Sequence, residues 1–186
     1  IMCMKRCGWG KGAMMEYHDK EWGVPVHDDR KLFEFLVLES VQAGLSWEIV
    51  LKKRENFRKA LHDFDPVKIS RYTDKDVKRL LSNPGIIRNR LKIEAIISNA
   101  KRFLEVQKEF GSFDRYIWQF TNHKTIKNRF MLLSEIPAQT KESDNMSKDL
   151  KRRGFKFIGP TVCYAHMQAT GMVNDHITGC FRYNQV

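Results

Sequence analysis

The sequence predicts an all-α fold. Apolar residues recur at helical spacing in most segments, side chains with capping chemistry precede those segments, and the period-two alternation of strands is nearly absent. Asp28 and Asp29 open a segment with Leu32, Phe33, Leu36, Val37 and Ser40 at helical spacing, running to near Gly44. Ser46 is placed to cap the next helix, Trp47 to about Leu61, with Ile49, Val50 and Phe57 on its apolar side. Thr73-Asp-Lys-Asp76 resembles a capping box with Asp in place of Glu, starting a short helix to Ser82 before Asn83-Pro84-Gly85 breaks the chain.

A longer helix is expected over about Asn89 to Phe110, carrying Ile93, Ile96, Ile97, Ala100, Phe103 and Leu104. Ser112 to Phe120 reads as a short aromatic helix, and Asn122 to Thr140, with weak periodicity, as an irregular crossing. Ser143 to Arg153 is helical again and stops at Gly154. Phe155 to Gly159 reads as a hairpin, and Pro160 starts a last helix that ends at Gly171. With no repeat or flexible linker, residues 1–186 form one domain, either compact or built of two closely packed lobes.

Lys and Arg total 33 against 22 Asp and Glu, a formal net charge of +11. Such an excess serves solubility, and it also favours a polyanionic partner such as DNA or RNA. No long apolar run or signal-peptide pattern occurs, so the chain reads as soluble, unexported and not membrane-bound. In a reducing compartment the four cysteines point to metal binding or burial rather than disulfides. Cys163 reads as buried on a core helix and Cys3 as part of a loose tail.

Cys7 and His18 near the start, with His176 and Cys180 near the end, make a Cys2His2 set of the kind that holds structural zinc. The Cys7–His18 spacing is long for such a site. Arg152-Arg153-Gly154-Phe155-Lys156-Phe157-Ile158-Gly159-Pro160-Thr161 has helix–turn–helix character. Its glycines and free amides suit a DNA phosphate, and an ordinary helix connection fits equally well. Glu39 lies beside an apolar helical face, which makes it either a desolvated functional carboxylate or a boundary residue paired with Arg. Gln42 and Leu45 occupy a tight turn, where Leu45 is placed either to wedge into a base stack or to pack on a helix. Trp9, Tyr17 and Trp22 are dense enough for core packing or for stacking on a flipped, cationic base.

With these residues in view, the chain resembles the bacterial 3-methyladenine DNA glycosylases of the constitutive type I family. The resemblance runs from about Cys7 to Cys180. It is carried by Cys7-Gly-Trp9, Tyr17-His18-Asp-Lys-Glu-Trp22-Gly-Val-Pro25, Leu38-Glu39, Gln42-Ala-Gly-Leu-Ser-Trp47, Gly85-Ile-Ile-Arg88, Gly154-Phe-Lys-Phe-Ile-Gly159 and Asn174-Asp-His176. It implies the two-lobed fold of the helix-hairpin-helix glycosylase superfamily, with the hairpin around residues 152–161. It implies one structural zinc ion on Cys7, His18, His176 and Cys180, joining the two ends of the chain.

By the same resemblance Glu39 reads the base, and Asp175 stands where the superfamily usually carries a catalytic Asp. Trp9, Tyr17, Trp22 and Trp47 bind the base, Gln42 and Leu45 fill the gap left by the flipped nucleotide, and Gly154, Lys156 and Gly159 hold the DNA backbone. The implied activity is monofunctional: hydrolytic excision of 3-methyladenine from alkylated double-stranded DNA, without strand cleavage, since no Lys occupies the position of the bifunctional nucleophile. The implied setting is a bacterial cytoplasmic, nucleoid-associated monomer. Two departures bear on the pocket: the Cys7–His18 loop is short, and Met14 stands where the family pattern has an aromatic. The alternatives are a non-enzymatic, zinc-containing DNA-binding protein and a glycosylase for another damaged base.

Overall fold

The computed structural model describes residues 5–186; Cys3 lies outside them. Nine α-helices occur among the described residues: α1 (Met15–Lys20), α2 (Asp29–Val41), α3 (Trp47–Ala60), α4 (Pro66–Ile69), α5 (Asp74–Leu81), α6 (Arg90–Phe110), α7 (Phe113–Trp118), α8 (Lys141–Arg152) and α9 (Pro160–Ala169). None is long and apolar enough to cross a membrane.

The caps read from sequence are in place. Asp28 accepts from Lys31 N at 2.9 Å, Ser46 from Ile49 N at 3.3 Å and Asn89 from Lys92 N at 3.0 Å, each satisfying an amide the helix leaves orphaned. Asp76 accepts from the Thr73 amide at 3.0 Å, completing the half of the capping box that an Asp can supply. Gly111 closes α6 with φ 86°, the left-handed conformation that glycine adopts without steric cost.

Two helices go beyond the periodic pattern, α1 with six residues and α4 with four. α4 is set by local chemistry alone, Pro66 at its first turn and Asp65 accepting from Val67 N and Lys68 N. α8 begins at Lys141, ahead of Ser143, because Thr140 is its cap. The all-α reading needs one small correction. Ile126–Lys127 (β1) pairs in parallel with Val173–Asn174 (β2), too short a pairing to leave an alternating pattern. Residues between Arg152 and Pro160 form a tight turn between α8 and α9, without strand pairing.

α2 is the central helix: every residue from Leu32 to Val41 is buried, so that stretch has no solvent-facing side. The main apolar core joins α2 to α3 through α9, and Cys163 on α9 is buried in it as expected. Asp29 ties α2 to α7 by accepting from the Phe113 and Asp114 amides, both at 2.8 Å. A smaller cluster of Tyr17, Trp22, Phe35 and Ala169 carries the N-terminal segment against α2 and α9. Beyond α9 the chain turns at Gly171, whose φ is 72°. A Cβ there would lie 2.4 Å from Pro25 N, so only glycine allows this crossing. The crossing returns the C-terminal segment, with His176 and Cys180, to the N-terminal one.

Candidate active site

A cavity of about 460 Å³ opens where α1, α2, α3 and α9 meet, within the size range of small-molecule sites (roughly 300–1,000 Å³). Trp9, Tyr17, Trp22, Glu39, Gln42 and Trp47 all line it. Six residues singled out in sequence, from four separate segments, therefore converge on one wall. Met14 lines it too, in the position where an aromatic was expected.

Glu39 dominates its chemistry. α2 buries two glutamates, and they differ. Glu34 is ion-paired with Arg54 at 2.6 Å and Arg58 at 2.9 Å. Glu39, only 4% exposed, receives no hydrogen bond or ion pair from any described residue. Burial alone pushes its carboxyl up to about 8. Such a group is a strong hydrogen-bonding and charge-pairing site for whatever enters the cavity. Tyr17 presents the second titratable group, its pKa driven well up by burial and then by the nearby Glu39 and Glu21 charges.

The aromatic wall is held at defined angles. Trp9 and Trp22 meet edge to face, 4.9 Å apart at 80°, and Tyr17 leans on Trp47 at 5.8 Å. Gln42 is folded into its own turn, where Nε2 donates to the Leu45 carbonyl at 2.7 Å and Leu45 N donates to the Gln42 carbonyl at 2.7 Å. Leu45 is half-buried in that turn.

Behind this wall the four Cys and His ligand atoms lie within 4.8 Å of one another, all on buried residues, and could hold a metal ion. The sulfur–nitrogen contacts are 3.5 Å (Cys180 Sγ to His18 Nε2) and 3.6 Å (Cys7 Sγ and Cys180 Sγ to His176 Nδ1). A tetrahedral ion with bonds of about 2.3 Å to sulfur and about 2.0 Å to nitrogen needs a sulfur–nitrogen edge of roughly 3.5 Å, which these three contacts match.

The other ring nitrogens are engaged as ligand histidines require. His18 Nδ1 donates to Asp19 at 2.8 Å, and His176 Nε2 donates to the Trp22 carbonyl at 2.9 Å. Arg6 holds Asp19 in turn, through a 2.7 Å ion pair. Without an ion, burial pushes the Cys7 thiol up to about 12; a cation would reverse that. The cluster also supports the cavity. His18 packs edge-on to Trp9 at 4.9 Å and His176 to Trp22 at 4.7 Å. Gly10 permits the approach, since a Cβ there would lie 2.6 Å from the His18 ring.

Asp175 is placed differently. It is 1% exposed and is not on the cavity wall. Oδ1 accepts from Asn128 at 2.7 Å; Oδ2 accepts from Tyr164 and, at 3.0 Å, from Gln168. Gln168 does line the cavity, with Ala165, Leu133 and Ile136, and sequence reasoning missed all four. Gln168 was detectable as the polar residue one turn after Tyr164; Leu133 and Ile136, in the irregular crossing, carry no periodic signal. Gly154, Lys156 and Gly159 occupy the α8–α9 turn. There Asn99 of α6 pairs with both the amide and the carbonyl of Lys156, at 2.8 and 3.0 Å.

Known proteins match this arrangement over almost its whole length. The family model described as methyladenine glycosylase covers residues 8–183. The chain belongs to the methyladenine glycosylase family. Within the family it is 52% identical over 182 residues to DNA-3-methyladenine glycosylase 1 of Escherichia coli strain K12, covering 97% of each chain. It is 50% identical to the DNA-3-methyladenine glycosylase of Haemophilus influenzae, covering 94% of this chain and 96% of that one. A solved 3-methyladenine DNA glycosylase I in complex with 3-methyladenine superposes with a TM-score of 0.92, at 36% identity over 96% of this chain and 97% of the other.

Proposed function

We propose that this protein is a DNA repair glycosylase that excises 3-methyladenine from alkylated double-stranded DNA by hydrolysing the N-glycosidic bond. The observation that carries this reading is Glu39, a buried carboxylate without a partner in an aromatic cavity. A non-enzymatic DNA-binding protein has no use for one, and a cationic base supplies the charge it lacks.

Methylation at ring nitrogen 3 leaves the base positively charged while attached to deoxyribose, so it departs without further protonation. The lesion nucleotide flips into the cavity, at an unstacking cost of a few kcal/mol. Trp9, Tyr17, Trp22 and Trp47 hold the base by stacking and cation–π attraction. Glu39 pairs with the cation and accepts from the adenine edge. The C1′–N9 bond breaks with its electron pair going to the base, which leaves neutral. Water adds to the oxocarbenium-like C1′ and loses a proton, giving free 3-methyladenine and an abasic sugar. Gln42 and Leu45 fill the vacated gap, and the α8–α9 turn, with Gly154, Lys156 and Gly159, acts as the hairpin that holds the backbone.

Cys7, His18, His176 and Cys180 would hold one structural zinc ion, which supplies closure of the fold and no reaction chemistry. Its support is the fit of the four ligand atoms and the engaged second nitrogens. The decisive experiment is incubation with methylated duplex DNA, followed by identification of released bases. Free 3-methyladenine with the strand uncut is expected. No release from folded, metal-replete protein would overturn the reading.

A further inference from the structure

The other exposed large apolar residues of the described chain are single in sequence, but Met131, Leu132 and Leu133 follow one another at 70, 61 and 39% exposure. Water disfavours this arrangement, and most of the Met131 and Leu132 side chains stays open to it. The loop that carries them is nevertheless tightly built. The Glu135 carboxylate accepts from the Met131 and Leu132 amides, at 2.6 and 3.0 Å, and Glu135 N donates back to the Leu132 carbonyl at 3.1 Å. The stem is anchored by the β1–β2 pairing and by Thr178 N donating to the Phe130 carbonyl at 2.8 Å. An apolar tip fixed in one conformation is prepared for a partner, because little conformational freedom remains to be lost on contact.

The position of the loop identifies that partner. Leu133 and Ile136 line the cavity, so the exposed Met131 and Leu132 immediately precede part of its lining, and the Gln42–Leu45 turn joins it through Gln42. The exposed Arg129 precedes the tip, on a chain of net charge +11. A flipped base can reach this cavity only if the duplex lies across its mouth, and the tip then meets the base stack. We propose that Met131 and Leu132 are a second apolar insert, entering the duplex beside the lesion and holding open the stack together with Leu45. This inference rests on the glycosylase reading above.

The test compares wild type with the Met131→Ser/Leu132→Ser double variant in three assays. They are release of 3-methyladenine from methylated duplex, release from methylated single-stranded DNA, and binding of free 3-methyladenine. The duplex rate should fall about tenfold or more, with the other two readings within about twofold, since single strands have no stack to enter. Met131→Leu/Leu132→Phe should restore the duplex rate. An unchanged duplex rate would overturn the insert. So would an equal loss in all three assays, which would make the loop only a cavity wall. Wild-type protein that releases no 3-methyladenine at all would overturn the glycosylase reading, and the insert with it.

Discussion

Gln168 Nε2 donates to Asp175 Oδ2 at 3.0 Å, so a cavity residue is oriented by a carboxylate that does not reach the cavity. With its nitrogen directed at an acceptor, Gln168 keeps its own oxygen free to accept from an incoming base. The role expected of Asp175 is to position Gln168. Asp175→Asn and Gln168→Leu should each lower kcat/KM for 3-methyladenine about tenfold, and the double variant should be no worse than either. Were Asp175 catalytic, Asp175→Asn would cost far more than Gln168→Leu and the losses would compound. A double-mutant cycle on excision rates separates the two.

Glu39 ties activity to pH. With its carboxyl at about 8 the free enzyme is mostly protonated at neutral pH, yet the cationic lesion needs the anion. Tyr17, the other titratable group on the wall, is shifted far above this range. kcat/KM should therefore rise about tenfold between pH 7 and pH 9 and level off, because that parameter reports the free enzyme. Glu39→Gln should abolish the slope with most of the activity. Its stability should move the other way. A carboxyl raised from 4.5 to about 8 destabilises the fold increasingly as pH rises through that window. Glu39→Gln should thus be more stable by roughly 2–4 kcal/mol at pH 8, and little changed at pH 4, in urea titrations.

Much of this site could be read before the fold was known. Residues that announce themselves chemically, such as Glu39 on an apolar helix or a Trp beside a ligand-type His, stand out by type and spacing. The depth of Glu39's burial did not, since the pattern gave α2 one apolar face, whereas helices packed on every side bury it all round. Leu133 and Ile136 were hidden because an irregular crossing has no period to read. Asp175 came in only through the family resemblance, second to Glu39; its three donors come from Asn128, Tyr164 and Gln168, contacts that only the tertiary fold brings together.

The Cys2His2 cluster should hold one zinc ion per chain by atomic absorption. Because His18 and His176 pack against Trp9 and Trp22, metal loss should disturb the cavity as well as the fold. Cys180→Ser should lower the metal content, reduce Tm and alter tryptophan fluorescence, with weakened binding of free 3-methyladenine. Metal-free protein of unchanged Tm would refute the assignment.

His166 sets a separate acid limit. It is fully buried on α9, and neither ring nitrogen has a hydrogen-bond partner among the described residues. Burial lowers its pKa from 6.5 to about 3. The unfolded chain therefore takes up a proton below pH 6.5 that the folded chain refuses until about pH 3. The stability this group permits is complete above pH 6.5 and is lost as pH falls through that window. His166→Leu, which removes two unsatisfied nitrogens at similar volume, should gain about 2 kcal/mol on wild type between pH 7 and pH 5. Urea titrations at the two pH values measure the difference. Parallel losses in both proteins would show that His166 is protonated, or partnered, in the folded state.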